Sequence, residues 1–149
     1  MKFEDEIKQK KFSSTGQKAF LNVVFTANYL QGFVRDRLKP YGLTLQQYNV
    51  LRILRGRHPQ CAYPTDIKDV MLDKNPDLTR LCDRMVLNGW IVRAVDEKNR
   101  RKMKISITEK GLQLLTSLDE LMDGVQDEMA YLSDEENMML SDLLDKMRG

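Results

Sequence analysis

Residues 65–107, TDIKDVMLDKNPDLTRLCDRMVLNGWIVRAVDEKNRRKMKISI, decide the fold. Thr65 to Met71 predicts a short helix with Ile67, Val70 and Met71 turned inward. Leu72-Asp73-Lys74 reads as a turn. Asn75 reads as the cap of a second helix, with Pro76 at its first position, where a missing N–H costs nothing. In that helix Leu78, Leu81, Cys82 and Met85 recur at i, i+3, i+4 and i+7 and form one inner face. The opposite face carries Pro76, Arg80, Asp83, Arg84 and Leu87, with Thr79 at its edge. Gly89 ends the helix. Trp90 to Val95 is strand-like, Asp96 to Arg101 is polar and turn-rich, and Lys102 to Ile107 alternates polar and apolar residues, the period of a half-buried strand. A short helix, a turn, a second helix and at once a hairpin make a winged helix-turn-helix.

Working outward, Ser14 can cap a long helix that runs to Lys39, where Pro40 stops it. Its apolar residues form two rows, one through Phe20, Val23, Val24, Ala27, Leu30, Val34 and Leu38, the other through Leu21, Phe25, Tyr29 and Phe33. A helix apolar on two faces must bury both. Either a partner subunit covers one of them or the helix is central to the core. Thr44 caps a further helix through about Gly56. After the hairpin, Thr108 caps a helix with Gly111 in its first turn. Leu115, Leu118, Met122, Val125, Met129 and Leu132 then follow a 3.5-residue repeat, the seam of a coiled coil. Ser133-Asp134-Glu135-Glu136 is a capping box. It opens a last helix with Met139, Leu140, Leu143, Leu144 and Met147 on one side.

The 149 residues are 42% hydrophobic and 31% charged, enough for one domain with a real core. No apolar run reaches the ~20 residues a bilayer span needs, so no membrane partner is expected. The N-terminus has no signal-like apolar segment. Cys61 and Cys82 are too few for a disulfide framework, and a reduced, cytoplasmic setting fits them. One His, no Gly-rich phosphate loop and no clustered metal ligands leave no catalytic constellation, so neither an enzyme nor a cofactor or metal is expected. The net charge of +2 conceals an asymmetry: residues 1–112 sum to +10 and residues 113–149 to −8. The positive charge therefore lies on the winged helix, whose hairpin tip carries Lys98, Arg100, Arg101, Lys102 and Lys104. Such a module puts its second helix into the major groove of double-stranded DNA and its basic hairpin on the backbone or in the minor groove.

Several segments together resemble the MarR family of transcription regulators: Tyr41-Gly42-Leu43-Thr44, Met71-Leu72-Asp73-Lys74, Leu78 to Met85 (LTRLCDRM), Gly89 to Arg93 (GWIVR), Asn99-Arg100-Arg101, and Ile107 to Gly111 (ITEKG). The resemblance covers the chain from about Ser14 to its end. It departs from the family pattern where Asn99 replaces the acidic residue before the paired arginines; here the acids sit earlier, at Asp96 and Glu97. The segment Asp73 to Asp77 is also one residue longer than the common form.

The resemblance implies a mainly α fold with a small β-hairpin wing, a winged helix-turn-helix domain plus a helical dimerisation domain. Residues 1–40 would give the N-terminal dimerisation helix, 41–108 the winged domain and 109–149 the C-terminal dimerisation helices, in one compact unit. It implies a homodimer on a pseudo-palindromic operator, usually a repressor, often relieved by a small ligand or by oxidation. A dimeric winged helix that docks proteins and binds no DNA is the alternative.

The candidate DNA contacts are Asn75, Thr79, Arg80, Arg84, Lys98, Arg100, Arg101 and Lys102. Arg80 and Arg84 present forks of donors suited to guanine or phosphate, unless Asp77 or Asp83 takes them in a salt bridge. Thr79 can touch a phosphate or a thymine methyl, or stand solvated. Asn75 is a cap, a contact or both. Arg100 and Arg101 suit the minor groove. Lys98, Lys102 and Lys104 suit phosphates or are merely solvated. A crevice that takes aromatic anions in the family points to Tyr29, Phe33, Tyr41 and Tyr48, which at such spacings are also ordinary core positions.

Overall fold

The computed structural model describes residues 1–74, 77–128 and 131–149, and for Gln126 and Glu128 the backbone only. They fall into two compact units, 1–113 and 114–149. The order is α1 (Phe3–Glu6), α2 (Thr15–Leu38), a 3-10 turn (Lys39–Tyr41), α3 (Leu45–Arg57), α4 (Pro64–Val70), α5 (Leu78–Leu87), β1 (Ile91–Val95), β2 (Met103–Ile107), α6 (Glu109–Glu128) and α7 (Asp134–Arg148). It is mainly helical with a two-strand antiparallel wing.

The local signals act where they stand. Ser14 Oγ accepts the Gln17 N–H at 3.0 Å and starts α2. Thr44 and Gln47 cap α3 reciprocally at 3.2 and 3.0 Å, and Ser133 and Glu136 do the same for α7 at 3.2 and 2.8 Å. These bonds satisfy backbone donors that no helix can satisfy at its own start. Gly89, at φ +72°, closes α5. The Trp90 N–H returns to the Met85 carbonyl at 3.0 Å and the Gly89 N–H to Val86 at 2.9 Å, a Schellman closure.

Three boundaries differ from expectation. The cap of α5 is Asp77, not Asn75: its carboxylate accepts the Arg80 N–H at 3.2 Å, and the helix opens at Leu78. A carboxylate at this end also meets the positive end of the helix dipole. Asn75 and Pro76 themselves lie outside the described residues. Helix α4 opens one residue early, at Pro64, whose fixed φ suits a first helical position. The coiled-coil seam is buried at Leu115, Leu118 and Val125. Met129 lies outside the described residues. Leu132 follows α6, beside the cap of α7, and is exposed.

In the first unit Leu38, Val50, Leu51, Leu54, Ile67, Met71, Met85, Ile91 and Ile105 are all buried to 1% exposure or less, except Ile105 at 2%. Burial of each such side chain contributes ~1.5–3 kcal/mol. The face Leu81, Cys82 and Met85 packs α5 inward, with Leu78 half-buried. The hairpin register pairs Ile91 with Ile107, Arg93 with Ile105 and Val95 with Met103. Ala62 adds a third short rung, exchanging both backbone hydrogen bonds with Ile105 at 2.9 and 2.8 Å.

Two helices keep apolar surface uncovered. In α2 only Leu38 is buried, while Phe20, Val24, Tyr29 and Leu30 stay exposed. In α7 no residue is buried, and Met138, Met139, Leu140, Leu143 and Met147 are exposed. Helix α1, which carries no strong pattern in the sequence, folds back onto α2. Phe3 packs on Phe12 and Phe25 with ring centroids 5.9 and 5.7 Å apart, and Glu4 pairs with Lys18, which holds the Glu4 carboxyl below its ordinary value.

Candidate nucleic-acid interface

The outward face of α5 presents Thr79, Arg80, Asp83, Arg84 and Leu87, all exposed. Its acids are already engaged. Asp77 caps the helix, and Asp83 forms an ion pair with Arg93 of β1. Neither Arg80 nor Arg84 forms an ion pair with a described residue, so the salt bridges weighed for them do not form. The Asp83–Arg93 pair instead ties α5 to the hairpin, so the helix and the wing share one frame.

The wing tip spans 96–102. Its backbone is closed by the Asp96 N–H to the Lys102 carbonyl at 2.9 Å and the Lys102 N–H to the Asn99 carbonyl at 2.8 Å. Asn99 Oδ1 accepts the Arg101 N–H at 3.2 Å, so the Asn that departs from the family pattern works as a turn-forming side chain. The bracing charge belongs to Asp96, which is only 3% exposed. Its carboxylate accepts the Tyr63 hydroxyl, the Lys98 N–H at 3.0 Å and Lys104 Nζ at 3.0 Å.

The electrostatics follow from these contacts. The Tyr63 hydroxyl first, then Lys104 and the Lys98 N–H, hold the Asp96 carboxyl far below the usual carboxylate range. The same carboxylate raises the Tyr63 phenol and the Lys104 ammonium. Lys104, about one-third exposed, is thus paired with Asp96. Lys98, Arg100 and Arg101 form no ion pair with a described residue. Lys102 Nζ stands 5.1 Å over the Tyr63 ring. The candidate contacts on α5 and the wing therefore sit on two braced elements with their cationic groups outward. Tyr63, Asp96 and Arg93, which hold them, were not among the expected site residues. An acid four residues before the paired arginines is the available hint for Asp96. Tyr63 had none, since its partner is 33 residues away.

The four aromatics named for a ligand are not brought into one cavity. Tyr29 is exposed and edges a recess of about 100 Å³ beside Phe3 and Phe25. Phe33 lies under the Arg37 guanidinium at 4.0 Å, Tyr41 is exposed in the 3-10 turn, and Tyr48 is buried in α3. An open cleft of about 560 Å³ lies elsewhere, lined by Gln31 and Arg35 of α2, Thr44, Gln46 and Asn49 at the start of α3, and Met71 to Lys74. Cys82 is buried, which pushes its thiol pKa up, and Cys61 is exposed and accepts a hydrogen bond from Ser106 Oγ at 3.0 Å.

Comparison with known proteins agrees with this geometry. The MarR family signature matches residues 41–102, the stretch from the 3-10 turn to the wing. The crystal structure of a MarR transcription factor from Planctomyces limnophilus is 31% identical, covers 91% of this chain and 98% of its own, and superposes with a TM-score of 0.71. A MarR mutant from Escherichia coli, crystallised with operator DNA, is 23% identical with a TM-score of 0.75, and 99% of each chain is covered. The transcriptional regulator PecS of Dickeya dadantii is 29% identical over 109 residues, 72% of this chain and 66% of PecS. The chain spans between about half and two thirds of such curated relatives. On the Planctomyces relative, the family signature and the fold, the chain belongs to the MarR family of transcription regulators.

Proposed function

We propose that this protein is a sequence-specific DNA-binding transcription regulator, a repressor that acts in the cytoplasm as a homodimer on a pseudo-palindromic operator. The observation that carries it is the pair of unengaged forks, Arg80 and Arg84 on the open face of α5, beside Arg100 and Arg101 on a wing braced at Asp96. Arg80 and Arg84 read bases or clamp phosphate, Thr79 adds a phosphate or methyl contact, and Asn75 is a further candidate contact. Arg100 or Arg101 enters the minor groove while Lys98 and Lys102 hold the backbone. Segments 1–40 and 109–149 supply the dimerisation helices around a winged domain at 41–108. The uncovered apolar rows of α2 and α7 support that arrangement.

Selection of bound fragments from a random DNA pool tests this. Recovery of an inverted repeat, its half-sites roughly one helical turn (34–36 Å) or a multiple apart, is the expected result. A pool with no enriched sequence would leave a protein-docking winged helix instead.

A small anionic effector is the second part of the reading. The open cleft offers Arg35 and Lys74 with the amides of Gln31, Gln46 and Asn49. It reaches the turn before α5, where Gln46 hydrogen-bonds Asp73 and Asn49 Oδ1 accepts the Leu72 N–H at 3.0 Å. A ligand that displaced these bonds would shift the recognition helix. The aromatics Tyr29, Phe33, Tyr41 and Tyr48 remain the alternative contacts. Titration calorimetry with benzoate as the probe, on the native protein and on Arg35→Ala, distinguishes them.

A further inference from the structure

We propose that Tyr63 is a positioning residue for DNA binding: its hydroxyl holds the wing carboxylate and its ring carries Lys102, so that the wing meets the DNA backbone in one pose. The proposal rests on the wing contacts above. It starts from a local rule that the chain breaks. Tyr63 occupies the cap position of α4, where Ser, Thr, Asp or Asn would bond the first turn, and its side chain makes no such bond. Its N–H is satisfied instead by Asp66 Oδ2 at 3.1 Å. A side chain that gives up capping is free for another task, and here it reaches across to the wing.

There it does two things. The hydroxyl donates to Asp96, the carboxylate that also receives the Lys98 N–H at 3.0 Å and Lys104 Nζ at 3.0 Å. With these three donors the buried charge is satisfied, and the Lys98, Arg100, Arg101 and Lys102 cations are left for solvent or phosphate. The ring face lies under Lys102 Nζ at 5.1 Å, close enough for a cation–π attraction that holds the ammonium away from Asp96. The base of the ring is fixed because Ala62, its neighbour, is bonded both ways to Ile105 of β2. Tyr63 thus links the first helix of the helix-turn-helix to the wing. Without its hydroxyl, Asp96 regains an open acceptor beside Lys102, and the ammonium turns inward to fill it.

The test measures binding of a mixed-sequence duplex of about 30 base pairs, which spans more than two half-site spacings of one helical turn, as a function of salt. Full-length native protein, Tyr63→Phe, Lys102→Ala, the double variant and Arg101→Ala are compared, with amide hydrogen exchange on each. Tyr63→Phe keeps the ring and fills the same space. It is expected to lower the salt slope by about two, as Lys102→Ala does, and to weaken binding about 60-fold at 0.1 M salt, the loss of one phosphate contact in each of two subunits. The double variant should lose no more than either single one. Exchange should rise at the Lys98 and Arg101 amides and stay unchanged in α3 and α5.

Native affinity and slope in Tyr63→Phe would overturn the proposal. So would weaker binding with an unchanged slope and exchange raised throughout the winged domain, the mark of a purely structural residue. If Arg101→Ala and Lys102→Ala both bind like the native protein, the wing does not meet DNA at all. The proposal then falls with the reading it rests on, and not through Tyr63.

Discussion

Gly111 sits in the first turn of α6 because nothing larger fits there. A Cβ at this position would stand 2.4 Å from the Trp90 carbonyl oxygen and 2.8 Å from Ile107 Cγ1. Thr108 pins this crossing from both sides. Its hydroxyl donates to the Gly89 carbonyl at 2.6 Å and accepts the Gly111 N–H at 3.1 Å, while its own N–H reaches Trp90 at 3.0 Å. Gly111→Ala must push the helix start off the hairpin, so it is expected to destabilise by at least ~1–3 kcal/mol, the usual cost of overpacking, despite the better helix propensity of Ala. A denaturant titration reads this directly. Asp96 supports a pH prediction. Its folded value is depressed far below the ordinary 3.8, so its contribution to wing order is fully present above 3.8 and is lost as pH falls below it toward the folded value. The titratable partners that face it, Lys104 and Tyr63, stay protonated throughout that range. The Lys98 amide resonance should therefore move only in strongly acid solution, and in Asp96→Asn it should not titrate at all. At the DNA surface, Arg80→Ala is expected to relax sequence preference by ~1–3 kcal/mol at one base pair if its fork is bidentate to guanine. A selected pool whose preferences are unchanged would place Arg80 on phosphate instead.

At the scale of elements, what could be read from the chain was what local chemistry decides. The caps at Ser14, Thr44 and Ser133 involve groups three residues apart, so spacing alone reveals them. The inner face Leu81, Cys82 and Met85 follows from helical period, and the alternating Lys104, Ile105, Ser106 and Ile107 from strand period. Helix α5 begins two residues later than the spacing predicts: Asn75-Pro76 has the chemistry of a cap and first position, but Asp77 also has the chemistry of a cap, and its carboxylate accepts the Arg80 N–H. Pairing across elements left no trace in spacing. Nothing local says that Asp83 spends its charge on Arg93, or that Lys104 turns to Asp96 rather than to solvent. Both pairs remove an acid that the neighbouring sequence would have assigned to Arg80 or to the wing arginines, and this is why the cationic face came out cleaner than expected. The short α1 was invisible for a similar reason: its stability comes from Phe3 meeting Phe12 and Phe25, not from its own four residues.

Over the whole molecule, the charge and the uncovered apolar surface divide the labour between segments. The front of the chain carries +10 and the last 37 residues −8. DNA attracts the former and repels the latter, which favours approach through α5 and the wing. The acidic segment is also the one whose helix α7 buries none of its own residues, with Leu143 58% exposed and Met139 63% exposed. An amphipathic helix this exposed loses most of the burial that ordinarily stabilises it, so a partner surface is the economical cover. If that partner is a second copy, two winged domains engage two half-sites and the second contact is intramolecular. Its effective concentration can raise overall affinity by ~10²–10⁴ without any new contact to DNA. Leu143→Glu puts a charge in the middle of the row. It is expected to give a monomer by sedimentation, with helical circular dichroism falling by no more than the 15 residues of α7 and binding to a selected inverted repeat weakened by at least ~10²-fold, while affinity for a single half-site stays the same. A variant that remained dimeric, or a monomer that bound the full repeat like the native protein, would move the dimer contact to the exposed row of α2 through Phe20, Val24 and Leu30 or remove the need for one. The half-site measurement separates these outcomes, because it reports on α5 and the wing alone.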